Sequence, residues 1–180
     1  AAVIAITGPV TVRADARAEH ERAWADAFKR IVRVVGDRPV LAVWIRGLQG
    51  TGLVKRLAGG SPDAGRELLD ALASVVAALP TGDGESLSAF AARVTGRAHA
   101  LDDGLPLGTL ALGAARALAG LGPAGPDESA AEARREAWAG VGVLCDELSS
   151  NVLTLALPGD ASATGALLAA AGANAEPVWL

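Results

Sequence analysis

Apolar residues recur along this chain mostly three and four positions apart, the spacing that places side chains on one face of an α-helix. Over residues 14–35, Trp24, Phe28, Ile31 and Val35 form one such stripe, and Arg22, Lys29 and Arg33 occupy another face. Gly36-Asp37-Arg38-Pro39 ends this segment, because a proline disfavours helical geometry in the residue before it. A second helix is predicted over 40–48 with Leu41, Trp44, Ile45 and Leu48 inward, then a glycine-loosened stretch and a short resumption at 53–57. Ser61 and Pro62 read as N-cap and first position of a third helix, which carries Leu68, Leu72, Val75 and Leu79 and stops at Pro80. A short helix over 86–94 follows, then one over 106–121 with Leu110, Ala114, Leu118 and Leu121 along one side. Asp127 or Ser129 is positioned to cap the next, whose apolar side shows Trp138, Val141, Cys145 and Leu148.

Strand chemistry is confined to the end of the chain. Residues 151–157 are short, apolar and bounded by Pro158-Gly159, as a buried strand requires, and 177–180 has the composition to begin another. A small alanine-rich helix is predicted over 164–171 between them. The fold class expected is mainly α, a helical domain with a minor strand element near the C-terminal end. The expected division is a helical region over 1–121, a linker over 122–128, and a helix plus short strands over 129–180.

Composition narrows the functional classes. The apolar fraction of 51% reflects much alanine, and the longest apolar run, 105–121, carries Arg116 and falls short of a bilayer crossing. A single cysteine excludes internal disulfides and four-cysteine zinc sites. No basic segment leading into an apolar core and cleavage site opens the chain, so a cytoplasmic location with no membrane partner is expected. The absence of methionine and the apolar residues at both ends read as a piece of a longer protein. The net charge of −4 is unevenly spread: ten of the sixteen Lys and Arg residues, against five of the twenty acids, lie in residues 1–58. That first third suits DNA, with Arg22, Lys29, Arg30 and Arg33 as candidate contacts, or is simply a solvated face.

Candidate chemistry elsewhere is sparse. The Gly47–Gly52 stretch lacks the Lys-Ser/Thr pair that a phosphate-binding loop places after its last glycine, since Leu53 and Val54 stand there. His99 with Asp102 and Asp103 has the residue types of a metal site but no second ligand pair. The same residues serve structurally if Asp102 or Asp103 caps the helix beginning near Pro106 and His99 bonds a nearby carbonyl or carboxylate. Cys145 with Asp146 and His99 makes a poor nucleophile set, because Cys145 lies on an apolar stripe. Glu128, Glu132 and Glu136 read as a solvated face, and Ser149-Ser150-Asn151 as a cap and turn. No residue is assigned a catalytic or metal-binding role, and no cofactor is expected in this chain.

Three stretches in order, 44–57 (WIRGLQGTGLVKRL), 96–112 with its His-Ala-Leu-Asp core, and 138–153 (WAGVGVLCDELSSNVL), resemble a bacterial family. It is the nuclease subunit of Wadjet-type anti-plasmid systems, encoded in a cassette with an SMC-like ATPase. The resemblance implies a helical region preceding a Toprim-like domain that cleaves DNA with divalent metal. No strand followed by Glu and a later Asp-x-Asp occurs here, so those catalytic residues have no counterpart in this chain. His99, Asp102, Asp103, Asp146, Ser149 and Ser150 are then family-signature positions. The implied partners are DNA, the SMC-like ATPase complex and a second copy. The first alternative is a protein-interaction module without nucleic-acid binding, anchored by Trp44 or Trp138. A remote one is a small metalloenzyme using His99 and Asp102.

Overall fold

The computed structural model describes residues 13–82, 84–122, 129–145, 153–155, 159, 162–173 and 177–179. It divides into two compact units, Ala1–Cys145 and Asp146–Leu180. The first is mainly helical: α1 (Arg13–Ala27), α2 (Lys29–Val35), α3 (Pro39–Thr51), α4 (Leu53–Leu57), α5 (Pro62–Ala77), α6 (Leu87–Thr95), α7 (Pro106–Leu118) and α8 (Ala130–Ala139). Two-residue strands β1 (Glu85–Ser86) and β2 (Val143–Leu144) pair in parallel, Glu85 opposite Val143. The second unit holds β3 (Leu153–Leu155), α9 (Ala163–Ala173) and β4 (Pro177–Trp179). There β3 and β4 pair antiparallel, with Thr154 opposite Val178. The chain is thus a mainly α protein with minor strand elements. No helix among the described residues is long and apolar enough to cross a membrane.

Local signals set most boundaries. The Ser61 hydroxyl accepts from the Ala64 N–H with Pro62 in the first turn, as the sequence predicts. Ser86 caps α6 through the Ala89 N–H. Ser129 and Glu132 close a reciprocal capping box on α8, so Ser129 rather than Asp127 takes the cap. The expected linker, apart from Gly122, lies outside the described residues, and α8 packs on α7 within the first unit.

Several expectations shift. The segment predicted as one helix over 14–35 is interrupted at Phe28, which keeps right-handed helical angles (φ −79°, ψ −11°). The apolar stripe therefore continues across the break, with Trp24, Ala27, Phe28, Ile31 and Val35 all buried. At the interruption Lys29 turns back to Asp26, and Arg30 reaches Asp70 and Ser74 of α5, so α1 and α2 both lie along α5. Helix α5 is packed by α1, α2, α4, α6 and α7. Its buried side is accordingly wider than one stripe: Leu69, Leu72, Ala73, Val75 and Val76 are fully enclosed, and Leu68 is only half-buried. The helix expected to reach Leu121 ends at Leu118, because Gly120 adopts a left-handed conformation and returns the chain.

Two close approaches organise the core. Gly65 of α5 faces the indole of Trp24, and a Cβ there would come within 2.4 Å of the ring. Phe90 and Trp138, both fully buried, meet at a centroid distance of 6.3 Å and join α6 to α8. Arg38, counted above with the basic first third, is turned inward. Its guanidinium donates to the carbonyls of Val76 and Leu79 at 3.1 Å and Val34 at 3.4 Å, which satisfies the C-terminal carbonyls of α5 and α2.

Candidate nucleic-acid interface

The Trp24–Gly65 contact decides what the surface above it carries. Because α5 has no side chain at 65, α1 and α5 approach closely, and Arg66 comes to the same side as the residues at the α1–α2 junction. Asp26, Lys29, Arg30, Arg33, Arg66 and Asp70 line a concavity of about 380 Å³ together with Ala27. Four cations and two carboxylates leave this lining with an excess of two positive charges. Of the four DNA-contact candidates, Lys29, Arg30 and Arg33 are brought together here. Arg22 does not line the concavity; its Nε donates to the Ala18 carbonyl at 3.2 Å and its side chain is exposed on α1.

The electrostatics of the lining are mixed. Lys29 Nζ lies 2.6 Å from Asp26 Oδ1. The hydrogen bond and charge of Lys29, with Arg66 and Arg22 adding at longer range, hold the Asp26 carboxyl below its ordinary range. Arg30 donates through Nη1 to the Asp70 carbonyl at 3.0 Å and through Nη2 to Ser74 Oγ at 3.3 Å, and Nη1 stands 3.7 Å from Asp70 Oδ1. Arg33 and Arg66 are exposed and form no hydrogen bond or ion pair among the described residues. Arg66 is absent from the candidates read off the sequence because it belongs to a different helix with its own acids, Asp63, Glu67 and Asp70. Its only signal is the preceding glycine, a small residue placed where an amphipathic helix must meet a large one.

The histidine run forms a separate corner. His99 Nδ1 and Asp102 Oδ2 are 3.0 Å apart, with side chains 86% and 51% exposed. Asp102 does not cap the following helix. Leu105 occupies the N-cap with no side-chain bond, Pro106 fills the first turn, and the Leu105 N–H is satisfied by the Asp102 backbone carbonyl at 3.3 Å. Asp103 accepts instead from the Gly104 N–H at 3.0 Å. His99 and Arg97 border a mainly apolar hollow of about 420 Å³ walled by Leu68, Ala100, Leu105, Pro106 and Leu107. Among the described residues no three His, Cys, Asp or Glu side chains gather as metal ligands would. Asp146, Ser149 and Ser150 lie outside the described residues.

The proposed protein anchors separate as well. Trp138 is fully enclosed and its indole N–H has no partner among the described residues, so it is a core residue and reaches no surface. Trp44 is half-buried against α7, where a Cβ at Gly113 would stand 3.1 Å from its Nε1. Beside it on α3, Val40 and Val43 are 52% and 60% exposed. Cys145 is half-buried, with Arg134 Nη1 3.8 Å from its sulfur.

No curated protein and no solved structure matches the chain. A family model described as "Protein of unknown function N-terminus (DUF3323)" matches residues 1–159, the greater part of the chain, and the protein belongs to that family.

Proposed function

We propose that this chain is a non-catalytic helical region of a bacterial plasmid-defence nuclease subunit, acting in the cytoplasm, that engages the backbone of DNA through the α2–α5 groove. The observation that carries this reading is the convergence of Lys29, Arg30, Arg33 and Arg66 from two helices onto one concavity. Cations gathered this way neutralise phosphates and release condensed counterions, and that release supplies sequence-independent affinity. The resemblance of residues 44–57, 96–112 and 138–153 to the Wadjet-type nuclease subunit supports the defence assignment. A family description that speaks of an N-terminus accords with a region preceding a further domain. Divalent-metal chemistry belongs, on this reading, to that further domain.

The test is fluorescence anisotropy of a labelled 20-base-pair duplex titrated with the chain over a salt series. Four phosphate contacts give a log–log salt slope of about −3.6, and Arg33→Ala with Arg66→Ala weakens binding roughly tenfold or more and flattens the slope by about two. With magnesium or manganese the chain leaves plasmid uncut. Binding indifferent to salt and to both substitutions removes the DNA role. A second reading, a protein-docking face for the ATPase complex or a second copy, is favoured by the exposed Val40 and Val43 on α3. It predicts pull-down of cassette partners that Val43→Asp abolishes while DNA binding persists.

A further inference from the structure

The four cations of the groove are of two kinds. Arg33 and Arg66 are open to solvent and unpaired among the described residues. Lys29 and Arg30 each already hold an anion supplied by the protein, Asp26 at 2.6 Å and Asp70 at 3.7 Å. These pairs are exposed, with Asp26 and Asp70 side chains 51% and 39% accessible, so a competing anion reaches them directly. Exposed pairs of this kind are weak and exchangeable.

We propose that Asp26 and Asp70 make the groove selective for a ligand that brings several phosphates at once, a nucleic-acid backbone, over single phosphate groups. The inference rests on the nucleic-acid reading above and specifies what that site accepts. A lone phosphate arriving at Arg33 and Arg66 finds two cations in the field of two carboxylates, and it must displace a carboxylate to gain a third contact. A backbone anchored on Arg33 and Arg66 presents its next phosphates to Lys29 and Arg30 at high effective concentration, so displacement becomes an intramolecular exchange. The freed carboxylates then take up solvent cations. This partly cancels the counterions released from DNA and makes the wild-type salt dependence shallower than the four contacts alone would give.

The experiment compares the wild-type chain, Asp26→Asn with Asp70→Asn, and Glu136→Gln as a control for charge removal at an exposed position of α8. Each is titrated with the labelled duplex and, separately, with inorganic phosphate followed by amide chemical shifts of α2 and α5. Circular dichroism verifies that all three are folded. The double Asn variant binds the duplex about threefold to tenfold more tightly than wild type, with a steeper salt slope. It gains more still for inorganic phosphate, about tenfold or above, so the preference for the backbone narrows. Gains no larger than those of Glu136→Gln, or equal factors for duplex and phosphate, overturn the proposal while the DNA reading stands. A wild-type chain that ignores the duplex removes the DNA reading, and the proposed preference for a backbone falls with it.

Discussion

Gly65→Ala is the substitution whose sign tests the packing argument. In an unobstructed helix interior, replacing glycine by alanine stabilises by about 1 kcal/mol, since alanine restricts the unfolded chain and suits the helix. Here the new Cβ would stand 2.4 Å from Cζ3 and 2.6 Å from Cη2 of Trp24. Carbon atoms settle at about 3.5–4.0 Å, so the indole or α5 must move by more than about 1 Å. Trp24 is 4% exposed, and its indole N–H donates to His20 Nε2 at 3.1 Å, so the ring has little room to yield without losing burial or that bond. Overpacking of this kind costs about 1–3 kcal/mol, and uncovering about 40 Å² of the indole adds about 1 kcal/mol. Set against the helical gain, the net is a loss of about 1–3 kcal/mol. For a chain of this length that lowers the melting temperature by roughly 2–12 °C. Urea unfolding followed by circular dichroism measures it, and the same glycine change placed on Trp24→Ala supplies the internal control. With the indole gone the clash is gone, and Gly65→Ala then stabilises by about 1 kcal/mol. A Gly65→Ala protein as stable as wild type, or more so, refutes the claim that this close approach places Arg66 beside Asp26.

Two further outcomes follow from described contacts. Arg38→Ala strips the donors from the carbonyls of Val76, Leu79 and Val34 and lowers stability by about 1–3 kcal/mol in urea. Arg38→Lys rescues only part of this, because one ammonium cannot span three carbonyls, and duplex affinity is unchanged by either. In acid, the hydrogen bond from Arg93 holds the Glu85 carboxyl below its ordinary range, and the side-chain and backbone hydrogen bonds of Ser129 do the same for Glu132. Each folded value lies below the unfolded one, so the stabilisation is complete above the unfolded carboxylate pKa and is lost as pH falls through the folded values. Glu85→Gln with Glu132→Gln therefore flattens the decline in melting temperature below about pH 4, read by acid-series calorimetry.

Much of the helical framework is written in local chemistry. Ser61-Pro62, Ser86 and Ser129 each start a helix by accepting a backbone N–H a few residues on, an interaction a short window of sequence contains. The core residues Ile31, Leu41, Leu72 and Leu110 follow from spacing for the same reason. What spacing cannot carry is any contact between distant segments. The apolar stripe through Phe28 gives no sign of a break, because the buried face is continuous across it. Strands β1 and β2 are two residues each, too short for an alternation to exist. Arg38 reads as one more surface cation until the ends of α2 and α5 are placed beside it. The candidate groove was half legible: Lys29, Arg30 and Arg33 share one segment, whereas Arg66 joins them only through the fold. His99 and Asp102 were legible as a local pair. The cap expected from Asp102 or Asp103 fails because Leu105 takes the N-cap position, while the Asp102 carboxylate is held by His99 and that of Asp103 by the Gly104 N–H.

The Arg30 bonds to Asp70 and Ser74 join positions 40 and 44 apart in the chain. The groove they stitch together is consequently a property of the native state alone, since an unfolded chain scatters its cations along a coil. Whatever polyanion occupies it is thereby linked to folding: at a concentration one hundred times its dissociation constant it would raise stability by about 2.7 kcal/mol. Melting temperature thus becomes a ligand detector for this protein. A panel of nucleic acids, polyphosphates and single phosphates can be ranked by the heat the helices withstand, without a label or an enzymatic readout.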